Sequence, residues 1–426
     1  MSTLKLWVMP VALQSKRLVS REITNFQEQF AGIEVKIEEI TWDVAWNKII
    51  DLPNNPDDAP DIIQLGSTWN GSFASLGILK DITELINSMG GGESFVPASW
   101  SSSCFPQAKR ANSSMDEPPR VSSLPWFVDI RTLYYRDDVF SNLGLNAMNL
   151  ETWDTFMETC QKLHKKTYKG RELDVLGLSG KKETLLVHNL APWVWGAGGD
   201  FISEDGKTAA FNSEPALRGI EFFLSLNDKQ YISRKSLEQS TEDVAHSFCV
   251  KGDFAMSLSG AHCMPQLLDP NSAAFVPEIG GNCIASLFPA GPSGRFVFCG
   301  GSNLAITTYC KHIDEAWNLL KYFVSFDSQN RFPRAINMLP SLLESFDATF
   351  ITDENRERGA LKESWRFGRA FPNVPAWGEI ELLLIDYLAK IWQEIGQGKY
   401  DFGKIKNDIN EAAQKANELL AKWEVK

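Results

Sequence analysis

The first 63 residues switch repeatedly between two hydrophobic periods, and that switching limits the folds open to the chain. Leu4, Leu6 and Val8 alternate with Lys5, Trp7 and Met9, which predicts a strand. Leu18, Ile23, Phe26 and Phe30 then recur at helical spacing. Glu34-Val35-Lys36-Ile37-Glu38 alternates strictly and predicts a second strand; a helix follows around 44–50. Ala59-Pro60-Asp61-Ile62-Ile63 reads as a buried strand behind a Pro-rich turn. A β-α-β-α-β order calls for an α/β fold with a mostly parallel sheet covered by helices. Ligands of such sheets bind at the carboxyl ends of the strands. Those ends fall at Met9–Pro10, Thr41–Trp42 and Gly66–Trp69, and two of the three carry a Trp.

At 426 residues the chain is too long for one hydrophobic core, so two domains are expected. Composition breaks at Asn112-Ser113-Ser114-Met115-Asp116-Glu117-Pro118-Pro119-Arg120 and again at Pro289–Gly294. Between and after them the pattern predicts strands at 133–136, 254–258 and 303–307. It also predicts helices at 153–163, capped by Thr152, and at 314–323. A terminal helix carries Ile405, Ile409, Ala412, Ala416, Leu419 and Trp423 on one face.

A net charge of -12 and a pI near 5.1 argue against nucleic acid or an anionic membrane as the main partner, since both require a basic face. No stretch approaches the roughly 18 apolar residues of a membrane span. The chain reads as a strand from its first residues, so it is either cytoplasmic or a protein whose leader has been removed. The seven cysteines include no C-x-x-C pair, and five His make a metal cluster an unfavoured reading. For Cys249 and Cys263 a disulfide and buried free thiols stay open as alternatives. The 14 Trp bear on function. A Trp offers a flat apolar face and one N–H donor, which suits the C–H faces and hydroxyls of a sugar; core packing is the alternative.

The order of motifs resembles the family 1 extracellular solute-binding proteins of carbohydrate ABC importers, the maltose-binding-protein-like group. The resemblance spans nearly the whole chain. It rests on Ala59-Pro60-Asp61-Ile62-Ile63 with Trp69-Asn70-Gly71-Ser72-Phe73-Ala74; on Leu124-Pro125-Trp126-Phe127-Val128-Asp129 leading to Thr152-Trp153-Asp154-Thr155-Phe156; on Lys251-Gly252-Asp253-Phe254-Ala255-Met256; on Gly300-Gly301-Ser302-Asn303-Leu304-Ala305-Ile306; and on Pro372-Asn373-Val374-Pro375-Ala376-Trp377.

This resemblance implies a periplasmic binding protein type II fold: two discontinuous α/β lobes, 1–121 with 293–326 and 122–292 with 327–426, joined by a hinge that closes on a sugar. It implies a monomer outside the cell membrane, with its signal peptide removed and a lipid anchor in some relatives. The partners implied are a neutral di- or oligosaccharide and the transmembrane subunits of an ABC permease. No cofactor or metal is expected. Carried over by position, the ligand-binding residues are Thr68, Trp69 and Trp42 from the first lobe. Trp126, Asp129, Arg131, Trp193, Trp195, Gly260, His262 and Trp377 join them, with Gly301 and Ser302 where backbone would approach the sugar closely. Trp193 and Trp195 are expected on one side of an extended segment, and Arg366 and Arg369 as solvated or hinge charges. An Asp129–Arg131 structural pair and a core role for each Trp are the competing readings.

Three rival functions compete with this reading. A glycoside hydrolase needs two carboxylates flanking the scissile bond, and only Asp129 can be placed there. No G-x-S-x-G, H-E-x-x-H or Walker motif is present. A sugar sensor with the same fold and a binder of a non-sugar solute remain alternatives.

Overall fold

The computed structural model of the chain describes residues 2–11, 15–105, 119–260, 264–268, 270, 272–336, 338–350 and 359–424. In chain order its main elements open with β1 (Ser2–Val8), α1 (Ser15–Gln29), β2 (Ile33–Glu39), α2 (Trp42–Ile50), β3 (Ile62–Gly66) and α3 (Asn70–Ser75). Next come β4 (Leu124–Arg136), α4 (Trp153–Leu163), β5 (Asp174–Gly177), α5 (Leu185–Gly196), α6 (Glu214–Asp228), β6 (Phe254–Gly260) and β7 (Cys283–Ser286). The last group is β8 (Val297–Ile306), α7 (Ile313–Phe323), α8 (Phe326–Ala335), β9 (Leu339–Pro340), β10 (Gly368–Arg369), α9 (Trp377–Gly396) and α10 (Phe402–Glu424).

The chain divides into two compact units. Unit 1 holds Met1–Asp129, Cys299–Ile351 and Ala370–Gly378; unit 2 holds Ile130–Phe298, Thr352–Arg369 and Glu379–Lys426. This differs from the expected division in four stretches. Residues 122–129 stay with unit 1, because Asn303 Nδ2 donates to Ser123 Oγ at 3.1 Å and Trp126 stacks on Phe332. Residues 293–298 stay with unit 2, where Val297 and Phe298 pair with Gly368 and Arg369. The stretches after 326 return twice to unit 1. Phe332 and Ile336 complete its core, and Asn373 Nδ2 donates to the carbonyls of Ser102 and Cys104 at 3.1 and 2.6 Å. The Ser/Pro-rich stretch expected at the crossing lies mostly outside the described residues. The first crossing comes later, inside β4, a 13-residue strand buried throughout.

In unit 1, β1 runs parallel between β2 and β3, with Leu6 opposite both Ile37 and Ile62, and β8 closes the other side of β3 antiparallel. The period-2 pleat sorts the side chains into two layers. Leu4, Leu6, Val8, Ile62, Leu304 and Ile306 face a core completed by Val19, Ile23 and Phe26 of α1 and Leu320 and Phe323 of α7. Trp7, Ile63, Leu65 and Ala305 face a second core with Ala45, Ile49 and Phe73. With both faces of the strand covered, Trp7 is buried as Leu4 and Leu6 are. Each large apolar side chain buried this way contributes about 1.5–3 kcal/mol. Where β8 passes β4, Gly301 has φ 131°, and a Cβ there would lie 2.1 Å from the Phe127 carbonyl oxygen, so only glycine fits.

In unit 2, the second half of β4 is flanked antiparallel by β6 and β7, with Leu133 opposite both Leu258 and Ser286. β5 lies parallel beside β6. Thr152 caps α4 as its sequence predicts: its Oγ1 accepts from Thr155 N at 3.2 Å, and Thr155 Oγ1 accepts from Thr152 N at 3.0 Å. The terminal helix α10 buries Ile405, Ile409, Ala412, Ala416, Leu420 and Trp423, while Leu419 is only half-buried.

One local expectation fails. Trp193 and Trp195 lie in the helix α5, not in an extended segment. The helix is buried nearly all round, so its residues show no amphipathic period and read like a buried strand. At 100° per residue the two indoles point to different neighbours.

Candidate functional site

Unit 1 gathers four aromatic residues where its strands end. Trp69, on the turn after β3, meets Trp42 edge to face at 5.4 Å and Trp46 at 5.5 Å, both from α2. Phe73, one turn along α3 from Trp69, lies 6.2 Å from it. Trp42 donates its Nε1–H to the Pro10 carbonyl at 2.7 Å, which ties the ends of β1 and α2 together. Both indoles pack over Gly66, where a Cβ would lie in ordinary contact with them at 3.5–3.6 Å. Thr68, Trp42 and Trp69 are half-buried, so each keeps surface to offer. Trp46 was not singled out from the sequence. Its signal was there: Trp42 and Trp46 stand four apart on one helix face. The Trp46 ring lies against the backbone of Gly378, where a Cβ would come within 2.1 Å.

The other expected residues of unit 1 take different places. Trp126 is a core residue, stacked on Phe332 at 4.7 Å and edge-on to Phe323 at 5.2 Å. Its expected ligand contact gives way to the competing core reading, because 1% of its surface is exposed. Gly301 owes its glycine to the approach of β4. Ser302 is buried and accepts from Gln64 Nε2 at 2.9 Å, while Gln64 Oε1 accepts from Met9 N at 2.8 Å, so Ser302 joins β8 to β3 and β1. Trp377 is buried, stacked on Phe371 at 4.5 Å. Asp129 is buried beside Cys299, whose thiol is pushed up to about 12, first by burial and then by the Asp129 charge.

In unit 2, Trp193 is also a core residue, stacked on Phe223 at 5.5 Å and edge-on to Phe288 at 4.8 Å. Arg131 is buried and pairs in register with Gly260, the last residue of β6. His262 lies outside the described residues. Trp195 sits in a polar setting: its Nε1–H donates to Asp200 Oδ1 at 3.3 Å, and the Arg369 guanidinium stands 5.1 Å from its ring. Arg369 is ion-paired to Asp200 and lies 6.0 Å from the Phe296 ring. Expected as a solvated or hinge charge, it is 38% exposed at its side chain and ends its stretch of unit 2.

Comparison with known proteins settles the family. The profile described as Bacterial extracellular solute-binding protein matches residues 13–330. The chain belongs to this family of solute-binding proteins. One relative is the diacetylchitobiose binding protein DasA of Streptomyces coelicolor, 22% identical over 384 residues, covering 89% of this chain and 82% of the relative. Among solved structures, the sugar-binding protein MalE from Xanthomonas citri matches with a TM-score of 0.79 at 20% identity, over 99% of this chain and 98% of that one. Maltose-bound T. maritima MalE3 matches with a TM-score of 0.77 at 19% identity, over 98% of this chain and 100% of that one. The fold is therefore the mixed α/β fold of these binding proteins.

For a solute-binding protein, a second group in unit 2 stands out that the sequence did not single out. His188 Nε2 lies 3.0 Å from Glu381 Oε1, and the His188 ring stacks on Phe298 at 3.9 Å and 18°. The two partners are 193 residues apart in the chain, so no local pattern announces them. Among the described residues, no group of three or more His, Cys, Asp or Glu is placed to hold a metal ion, and no helix is long and apolar enough to cross a membrane.

Proposed function

We propose that this chain captures a neutral saccharide outside the cell membrane and hands it to the permease of an ABC importer. The observation that carries the reading is the half-exposed Trp42–Trp69 pair at the carboxyl ends of the unit 1 strands. Two indoles held edge to face leave their remaining faces to stack on pyranose C–H surfaces, and Thr68 beside them offers a hydroxyl. Relatives named for binding diacetylchitobiose or solved with maltose support a sugar of at least two rings. Binding without chemistry agrees with the relatives being binding proteins.

A thermal-shift panel of mono-, di- and trisaccharides tests the reading. A ligand held at about 100 times its Kd stabilises the folded chain by about 2.7 kcal/mol, which raises the melting temperature visibly. At least one di- or trisaccharide is expected to do so. Shifts confined to amino acids, peptides or phosphorylated compounds would replace the sugar with that solute.

A further inference from the structure

We propose that unit 2 carries a second ligand site, for a small anion with carboxylate or phosphate groups, at the amino ends of its strands. The inference stands independently of the saccharide reading.

The site is an open hollow of about 440 Å³, lined by residues of unit 2 alone. That volume falls within the range of small-molecule sites, about 300–1,000 Å³. Asp174 and Val175, the first residues of β5, line it. β5 and β6 run parallel with Phe254 opposite Asp174, so Gly260 lies at the far end of β6. At about 3.3 Å per residue, roughly 20 Å of strand separates the two ends. A sugar held at the carboxyl ends does not reach the hollow.

Charge names the occupant. Lys165, Arg234 and Lys235 line the hollow and are exposed. Among the described residues none of the three has an ion-pair or side-chain hydrogen-bond partner. Two carboxylates share the lining. That of Asp174 accepts from Ser233 Oγ at 2.6 Å, which leaves Glu172 to offset three cations. The whole chain is acidic, with 54 Asp and Glu against 42 Lys and Arg, so a hollow in which cations prevail departs from its composition. Unpaired cations around a concave surface concentrate anions there, and they hold carboxylate or phosphate by charge-assisted hydrogen bonds.

Two further observations mark a built site. Asn227, near the end of α6, lines the hollow and is 5% exposed, yet its Oδ1 meets no hydrogen-bond partner. A buried amide left unmet costs stability, and a hydroxyl on the occupant would meet it. Lys165 and Gln230 have φ of 56° and 60°, two of the three non-glycine residues with positive φ among those described. Each comes just past the cap of a helix, α4 or α6, where glycine is usual. Both positions accept a strained backbone, and both place a polar side chain in the lining of this hollow.

The test is isothermal titration of the full chain with citrate and with inorganic phosphate, at an ionic strength fixed by sodium chloride. Saturable binding of at least one is expected, and the tighter of the two identifies the preferred acid group. Arg234→Gln and Lys165→Gly should each weaken it about fivefold, and Glu172→Gln should tighten it by a similar factor. Glycine suits the backbone of residue 165 and all three side chains are exposed, so the variants should fold, which melting curves verify. Each variant should keep the wild-type response to the saccharide panel. A wild type that binds neither anion, by titration or thermal shift, overturns the inference. So do folded variants with wild-type anion affinity. Loss of saccharide binding in step with anion binding also overturns it, because both ligands would then share one site. A chain that binds citrate or phosphate with these variant effects but no saccharide supports this inference and overturns the saccharide reading.

Discussion

Arg369 lies with its guanidinium 5.1 Å from the centre of the Trp195 ring, and both side chains are bound to the same carboxylate, Asp200. Asp200 Oδ1 also accepts from Phe201 N at 2.8 Å, so one carboxylate gathers an indole, a guanidinium and a backbone amide. The acceptor should therefore matter more than the cation. The Arg369–Asp200 pair is about a third exposed on both sides, which limits it to about 0.2–1 kcal/mol. Arg369→Met is expected to cost about 1 kcal/mol, including the contact with Trp195. Asp200→Ala should cost about 2 kcal/mol, because it strips two further donors of their acceptor. Urea unfolding measures both; equal losses would show that the ion pair alone carries the cluster.

Unit 1 contains a buried pair of the opposite kind. Glu22 is fully buried in α1 and accepts from Arg331 Nε at 2.7 Å and from a terminal guanidinium nitrogen at 2.6 Å. Tyr322 and Ser328 hydroxyls donate to the same carboxylate. Removing one partner of such a pair costs about 3–5 kcal/mol, since the other charge is left buried. Arg331→Met should fall near the lower figure because Arg331 is partly exposed. The double change Glu22→Leu with Arg331→Met should recover much of that loss in the same urea experiment.

The cysteines give a pH-linked prediction. Burial pushes the Cys104 thiol up to about 11 and those of Cys299 and Cys310 up to about 12. The thiolate is the reactive form, so at pH 8 a thiol held at about 12 is ionised about once in ten thousand molecules. These thiols should react slowly with a disulfide reagent in the folded chain and quickly once guanidinium unfolds it. Raising the pH should speed the folded-state reaction, Cys104 first. Rapid labelling of Cys299 or Cys310 in the folded chain at pH 8 would contradict their burial.

Much of unit 1 was legible in advance because its elements are amphipathic. Val35 and Ile37 alternate with Glu34, Lys36 and Glu38, and Ile23 and Phe26 recur at helical steps, so β2 and α1 announce themselves. The capping box at Thr152 marked the start of α4 for the same local reason. Elements without a period were not legible. Both faces of β4 are buried, and α5 is buried nearly all round, so neither shows a period and Trp193 and Trp195 read as an extended segment. Trp126 and Trp193 show the limit of reading indoles from a sequence. Only the rings of Phe332, Phe323 and Phe223, distant in the chain, reveal them as core. The His188–Glu381 and Arg369–Asp200 pairs were hidden likewise, since each joins residues more than 160 apart. What could be read was the Trp42–Trp69 cluster, because strand ends in a parallel sheet point to one place.

That cluster supports the most direct test of saccharide capture: isothermal titration of the wild type and of Trp69→Ala with the saccharide giving the largest thermal shift. Trp69 is half-buried, so its removal should leave the chain folded. The account predicts saturable one-to-one binding by the wild type and at least a tenfold rise in Kd for the variant. A folded Trp69→Ala chain with wild-type affinity would contradict the unit 1 platform, and a wild type that binds no saccharide would contradict the function itself.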